Sequence, residues 1–313
     1  MIIAFPLVTA ALLCLALTPV ARRLAIRYDF VDQPVHRSSH TQPVPFGGGF
    51  AIFTAFWVTA LALQWPPSRP MVGMLVGSLA LLIVCTLDDK YQLPAGPRLG
   101  VQIAAGLIAY FFGVRVVQVS NPLYGMVGSE YIFMGPLELP VTVLWIAFIT
   151  NAVNWLDGLD GLASGVSTIA AATLALIAAF GGQSPLVVVP AAALAGSALG
   201  FLRYNFDPAS IFMGDVGAMF LGYMLACLSV IGVVKGPTAL VLVVPLLVLG
   251  LPIYDSAATI LQRLRAGKPI YHADRGHLHH RLLDSGLSTR ETVIFMYGIT
   301  SLLCMIALGV WLR

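Results

Sequence analysis

The chain is organised as long unbroken apolar runs separated by short polar connections. Ten such runs (2–20, 47–65, 71–87, 99–113, 139–155, 162–181, 185–202, 215–233, 238–256 and 292–312) approach the ~20 residues that a helix needs to cross a bilayer. The pattern predicts an all-α integral membrane protein of about ten transmembrane helices. A barrel is excluded because it would show ~10-residue alternating segments. The connections alternate in character. Residues 21–46, 88–98, 156–161, 203–214 and 257–291 are rich in polar groups, and 257–291 is the largest soluble element. The opposite connections are short except 114–138. There Val114–Val119 and Tyr131–Phe133 flank Asn-Pro and Gly punctuation, which predicts a small outer β-hairpin. No repeat or low-complexity tract divides residues 1–313, so the chain reads as a single polytopic domain.

Composition sharpens this picture. Of the 313 residues, 58% are apolar and 10% charged, whereas a soluble domain carries about 25% charged residues. Thirteen of the seventeen Lys and Arg fall in the polar-rich connections, which predicts that this face is cytoplasmic. With ten spans, both termini face outward. The first run has no basic residue before it and Arg22-Arg23 after it, and so reads as an N-out helix and not a cleaved signal peptide. Twelve of the fourteen acidic residues share the cytoplasmic face, so the net charge of +3 hides a positional asymmetry. The four cysteines stand singly in apolar runs and read as small buried hydrophobes. No P-loop or Rossmann glycine fingerprint is present, and nothing suggests a nucleic-acid partner.

The candidate chemistry sits at inner ends of apolar runs. Asp88-Asp89 closes the third run, where the helix dipole disfavours anions and the two carboxylates repel, so a nearby cation is expected. Asn154-Trp-Leu-Asp157-Gly-Leu-Asp160-Gly161 closes the fifth, and a helical turn would set Asp157 and Asp160 on one side. Oxygen ligands at this density suit Mg²⁺, with Mn²⁺ as the alternative, together with phosphate. Asn205 and Phe212-Met-Gly-Asp215 repeat the pattern. Asp215 at a helix start reads either as a site residue or as a cap, and Phe212 either as a base-stacking ring or as packing. Lys90 and Arg98 are candidate phosphate contacts, or cations that set topology. Arg275-Gly-His277-Leu-His279-His280-Arg281 lies in the large inner connection. It lacks the i,i+4 pair of a helical zinc site and better suits phosphate recognition.

Together these residues resemble the polyprenyl-phosphate N-acetylhexosamine-1-phosphate transferases. The resemblance covers roughly residues 20–290. It rests on Asp32-x-Pro34-x-x-Arg37-x-x-His40 with Gly47-Gly48, on Asp88-Asp89, on Asn154-x-x-Asp157-Gly-x-Asp160-Gly, on Phe212-x-Gly-Asp215 and on His277-x-His279-His280. The interrupted histidine run looks like the WecA/TagO-like branch; the related MraY branch carries three histidines in a row. The resemblance implies Mg²⁺ held by Asp215 and Asp157, and catalytic work by Asp88 and Asp89. It also implies substrate contacts from Asn154, Asp160, Asn205, Phe212, Arg275, His277, His279 and His280. The implied reaction moves N-acetylglucosamine 1-phosphate from UDP-N-acetylglucosamine to undecaprenyl phosphate in a bacterial inner (plasma) membrane. The alternatives are another UDP-N-acetylhexosamine or UDP-N-acetylmuramoyl-pentapeptide. A secondary transporter is the main non-enzyme reading, but its ionisable residues would stand near the membrane midplane. Apolar outer faces leave room for a homodimer.

Overall fold

A computed structural model describes residues 1–32, 43–120, 131–181, 185–233, 243–267 and 276–312. Its helices are α1 (Ala4–Arg27), α2 (Gly48–Leu63), α3 (Arg69–Tyr91), α4 (Ala95–Phe111), α5 (Glu138–Leu156), α6 (Leu162–Phe180), α7 (Pro185–Asn205), α8 (Gly214–Val233), α9 (Val243–Val248), α10 (Gly250–Arg265), α11 (Leu278–Asp284) and α12 (Thr289–Trp311). Among the described residues, seven helices are long and apolar enough to cross a membrane. The other three expected runs fall on α2, on α4 and on the interrupted pair α9–α10.

The bundle is built around α8. This helix packs against α2, α3, α5, α6 and α7, and 83% of its apolar window is buried, against 22% for α1 and 28% for α12. Close approach is what puts it there. A Cβ built on Gly49 of α2 would stand 2.3 Å from the Gly217 backbone nitrogen of α8, so only glycine fits this crossing. Gly48 and Gly49 spend their N–H groups on the carbonyls of Phe212 and Met213, both at 3.0 Å, which ties the start of α2 to the residues just before α8.

Helix ends follow local chemistry. Ser68 caps α3 by accepting from the Met71 N–H. Ser288 and Glu291 form a reciprocal capping box at α12. The run 238–256 does not form one helix over its described part. Pro252 has no N–H to offer the Val248 carbonyl four residues back, and the helix is interrupted at Leu249. Beyond the break α10 continues to Arg265, and α11 follows at Leu278. The connection read as 257–291 is therefore helical at both ends of its described part.

Two short ribbons complete the fold. β1 (Val31–Asp32) pairs antiparallel with β2 (Val44–Pro45). β3 (Gln118–Ser120) pairs antiparallel with β4 (Tyr131–Phe133), with Val119 opposite Ile132. Of the expected first strand, Val114–Val119, only Gln118 and Val119 pair, residues 114–117 are not in a strand, and the turn of the expected hairpin lies outside the described residues.

Candidate active site

Two charges at the wrong ends of their helices begin the site. Asp88 stands at the C-terminus of α3 and Arg98 in the first turns of α4, so each opposes its own helix dipole. They offset one another: Arg98 Nε lies 2.9 Å from Asp88 Oδ2. The other Asp88 oxygen accepts the Leu93 N–H at 2.7 Å. Arg98 Nη2 reaches further, to Asp215 Oδ2 at 3.2 Å and to Asn154 Oδ1 at 3.1 Å. Asn154 Nδ2 closes the ring by donating to Asp215 Oδ1 at 2.7 Å. Residues from α3, α4, α5 and α8, up to 127 positions apart in the chain, meet on this one guanidinium.

Asp89 faces α8. Its Oδ1 accepts the Asp215 N–H at 2.8 Å, so Asp89 caps α8 from another helix and Asp215 keeps its own carboxylate for the site. Gly214 permits this. Its φ is +68°, and a Cβ there would lie 2.6 Å from Asp89 Oδ2.

Asp157 follows α5 directly, in a turn that runs to Gly161 and is not helical, so the expected helical i,i+3 placement of Asp157 and Asp160 does not hold. Burial, then the charges of Asp215, Asp89 and Asp160, push the Asp157 carboxyl up to about 8. Asp160 accepts the Ala209 N–H at 2.8 Å and so holds the neighbouring loop. No three acidic, His or Cys side chains among the described residues converge into a ready-made cage. A Mg²⁺ site does not require one. Magnesium is commonly held by one or two carboxylates and completed by substrate phosphate. The Asp157 N–H binds the Asn154 carbonyl at 3.1 Å, whereas its carboxylate has no hydrogen-bond donor among the described residues, and its charge is penalised mainly by burial and then by Asp215. An oxygen-seeking cation would relieve that penalty, so the residues present fit the ion.

The histidine half is assembled from α5, α10 and α11. His277 caps α11, and its Nδ1 lies 2.8 Å from Asp255 Oδ2 on α10. The second Asp255 oxygen accepts the Leu278 N–H at 2.6 Å. His277 and His279 rings stack at 5.6 Å and 9°, and Trp155 borders His277 at 5.9 Å. Arg263 Cζ stands over the same indole at 5.6 Å from its centre. Burial, then the His280 charge, holds His279 down at about 3, so it is neutral at physiological pH. Gly158 joins the halves: a Cβ on it would meet His279 Nε2 at 2.6 Å. His280 packs against His279 at 4.3 Å.

Other expected site residues lie elsewhere. Asn205 is buried, and its amide is spent internally. Its Oδ1 accepts from Gly161 N–H and Ser164 Oγ at 3.1 and 3.0 Å, and its Nδ2 donates to the Ile211 carbonyl at 3.3 Å. It braces two loops and does not line the site. Phe212 packs at 6.3 Å from Phe46, and its N–H binds the Pro45 carbonyl. Lys90 lies over the rings of Phe30 and Tyr91, on a different face of α3 from Asp88. Arg275, Pro34, Arg37 and His40 lie outside the described residues.

Asp255 was missed by sequence reasoning. Its signal was a carboxylate just inside the inner end of an apolar run, where a charge taken from water demands a partner. Arg98 reads from the sequence as a phosphate contact or a topology-setting cation, and not as the hub.

The chain is similar in sequence to known proteins. A family model described as glycosyl transferase family 4 matches residues 71–233, from α3 through α8. The chain is 39% identical over 292 residues to a probable undecaprenyl-phosphate N-acetylglucosaminyl 1-phosphate transferase of Bacillus subtilis, covering 93% of this chain and 80% of that one. It is 33% identical over 319 residues to a decaprenyl-phosphate N-acetylglucosaminephosphotransferase of Mycobacterium tuberculosis, with 92% and 78% covered. It is 26% identical over 294 residues to an undecaprenyl-phosphate alpha-N-acetylglucosaminyl 1-phosphate transferase of Escherichia coli, with 91% and 78% covered. With a family model matched over more than half its length and a site knotted together from the same stretch, this chain belongs to glycosyl transferase family 4.

Proposed function

We propose that the chain transfers N-acetylglucosamine 1-phosphate from UDP-N-acetylglucosamine to undecaprenyl phosphate, releasing UMP. This is the first membrane step of a cell-envelope polysaccharide. The observation that carries the reading is the convergence of Asp88, Asn154 and Asp215 on Arg98 at the inner helix ends. The names of the relatives supply the donor sugar and the lipid class. The excess of Lys and Arg in the connections on this face supports a cytoplasmic site in the plasma membrane.

In this reading a phosphate oxygen of the lipid attacks the β-phosphorus of the UDP-sugar, the bond to the α-phosphate bridge breaks, and UMP departs. A phosphate monoester has a second pKa near ~6 and is already largely ionised at neutral pH. Proton removal therefore contributes little, and positioning and charge neutralisation contribute most. Asp88 is held at both oxygens, Oδ2 by the ion pair with Arg98 and Oδ1 by the Leu93 N–H, which supports positioning over proton transfer as its main contribution. Its role is to hold the Arg98 guanidinium toward the transferring phosphates, where the fork pairs with anionic oxygens. Asn154 orients Asp215 and offers a neutral donor. Asp215 and Asp157 would hold Mg²⁺, which when bound neutralises charge on the nucleotide pyrophosphate. His277, fixed by Asp255, and His279 would line the sugar-phosphate side, and Trp155 walls that side off from the bundle.

The test is UMP release by purified protein with undecaprenyl phosphate and a panel of UDP-sugars, with Mg²⁺ or with EDTA. Metal-dependent release with UDP-N-acetylglucosamine alone is expected. Release only with UDP-N-acetylmuramoyl-pentapeptide would move the substrate to the peptidoglycan branch. Absence of release with every sugar from a folded, lipid-supplied sample would overturn the reading.

A further inference from the structure

A cavity of about 540 Å³ opens between α1, α2 and the inner end of α3, away from the carboxylate ring. Its volume is within the ~300–1,000 Å³ of small-ligand pockets. Ala21 and Phe30 line one wall, Phe50 and Thr54 the second, and Thr86 and Lys90 the third. The lining is almost wholly apolar, and its one cation stands at the water-facing end. Lys90 Nζ lies 5.9 Å from the Phe30 ring, over the mouth of the cavity, and is exposed. Arg23 and Arg27, exposed at the end of α1, carry further positive charge to the same face.

We infer that this groove binds an anionic glycerophospholipid of the inner leaflet, with an acyl chain between α1, α2 and α3 and its phosphate on Lys90. Three observations select that occupant. Apolar walls at the level where α3 ends admit a chain from the bilayer. A lysine at the mouth favours a phosphate headgroup over a zwitterionic or neutral one. Helix geometry separates the groove from the reaction: at 100° per residue Thr86 and Lys90 share a face of α3, whereas Asp88 is turned roughly 200° from Lys90 toward Arg98. The acceptor lipid, whose phosphate must reach the Arg98 ring, is therefore not the occupant. The lipid would brace the start of α2, whose Gly48 and Gly49 N–H groups hold the Phe212 and Met213 carbonyls beside Asp215.

The experiment is native mass spectrometry of the full chain released from nanodiscs of phosphatidylcholine mixed with phosphatidylglycerol. The wild-type protein, Lys90→Ala and Thr54→Trp are compared, with thermal unfolding as the control for folding. Wild-type protein is expected to retain phosphatidylglycerol. Lys90→Ala should retain about fivefold less, the ratio that one lysine near an anionic surface is worth. Thr54→Trp, projecting from an exposed position into the groove, should retain none. Should the tryptophan variant fail to fold, the exposed Lys90→Ala decides alone. Equal retention by wild type and Lys90→Ala overturns the proposal. Displacement of the retained lipid by undecaprenyl phosphate at equimolar amounts also overturns it, because the groove would then belong to the acceptor.

Discussion

The carboxylate half and the histidine half of the site solve opposite electrostatic problems. Around Arg98, one cation is divided among Asp88, Asp215 and Asn154, and both Arg98 and Asp215 remain partly open to solvent, at 31% and 25%. Around Asp255, one anion is divided between His277 and the Leu278 N–H, and its side chain is 1% exposed. Among the described residues the first arrangement is short of positive charge, with Asp89 and Asp157 nearby and one guanidinium to serve them. In the second the charge is balanced: the buried carboxylate is paired with its imidazole, and His279 is neutral and keeps a buried Nδ1 without a hydrogen-bond partner among the described residues. In the proposed reaction an incoming sugar nucleotide with its metal would thus change the charge balance of one half and meet a wall of paired groups in the other.

Breaking the first half should cost most. Asp215→Ala removes one of the ring's carboxylates and is expected to lower kcat for UMP release about 10²–10³-fold, the scale of losing a transition-state charge contact. Arg98→Met should do the same, and it should also destabilise the protein, because Asp88 is left buried without its cation. Retained kcat in either variant would mean that the ring is scaffolding. Breaking the second half should cost less. Asp255→Asn keeps the shape and loses the anion behind His277, so kcat/KM should fall about 10–100-fold, as when a partner that orients a ligand is removed. An unchanged rate would show that His277 is positioned by packing on Trp155 alone.

The next effect is graded by pH. Asp157 must lose its proton to meet Mg²⁺, and its pKa stands at about 8. Apparent Mg²⁺ affinity, titrated against UMP release, should rise about tenfold per pH unit up to about 8 and then level off. The stability consequence has the opposite sign. Above pH ~4 an unfolded aspartate has released a proton that the folded one keeps, so the metal-free protein loses stability as pH rises through 8. Melting temperatures of the EDTA-treated protein at pH 6 and pH 8.5 should differ for wild type and differ less for Asp157→Asn. The smallest effect on rate is expected at Asn205. Asn205→Ala breaks the bonds to Gly161, Ser164 and Ile211 and should cost about 1–3 kcal/mol in stability, with kcat within a few-fold of wild type. A loss of rate as large as that of Asp215→Ala would return Asn205 to the site.

Much of this was readable in the chain because membranes make polar groups conspicuous. Asp88, Asp89, Asn154 and Asp215 stood out as charges or amides where an apolar run ends, and the structure brings them together around α3, α5 and α8. The same reasoning could not separate Asn205 from Asn154. Both close an apolar helix, and only the packing of two loops turns one amide inward. Arg98 gave no sign that it was the hub, because its three partners are set by the crossing of α3, α4, α5 and α8 and not by spacing. Asp255 was absorbed into the run 238–256, whose summed hydropathy outweighed its one carboxylate. The break at Leu249 was invisible for the same reason: proline reads as tolerable in an apolar run until the missing N–H is counted against the Val248 carbonyl.

That missing hydrogen bond has a mechanical meaning. A continuous helix transmits bending along its length, and an interrupted one concentrates bending at the gap. On one side of Leu249, α9 packs on α12; on the other, α10 packs on α5 and carries Asp255, Thr259 and Arg263. The carboxylates, by contrast, are anchored through Asp89 to the most deeply packed helix of the bundle. One wall of the site is thus mounted on the most deeply buried helix and the facing wall on a jointed arm, so under the proposed function a bulky sugar nucleotide would find its compliance at the Leu249 break and not in the core.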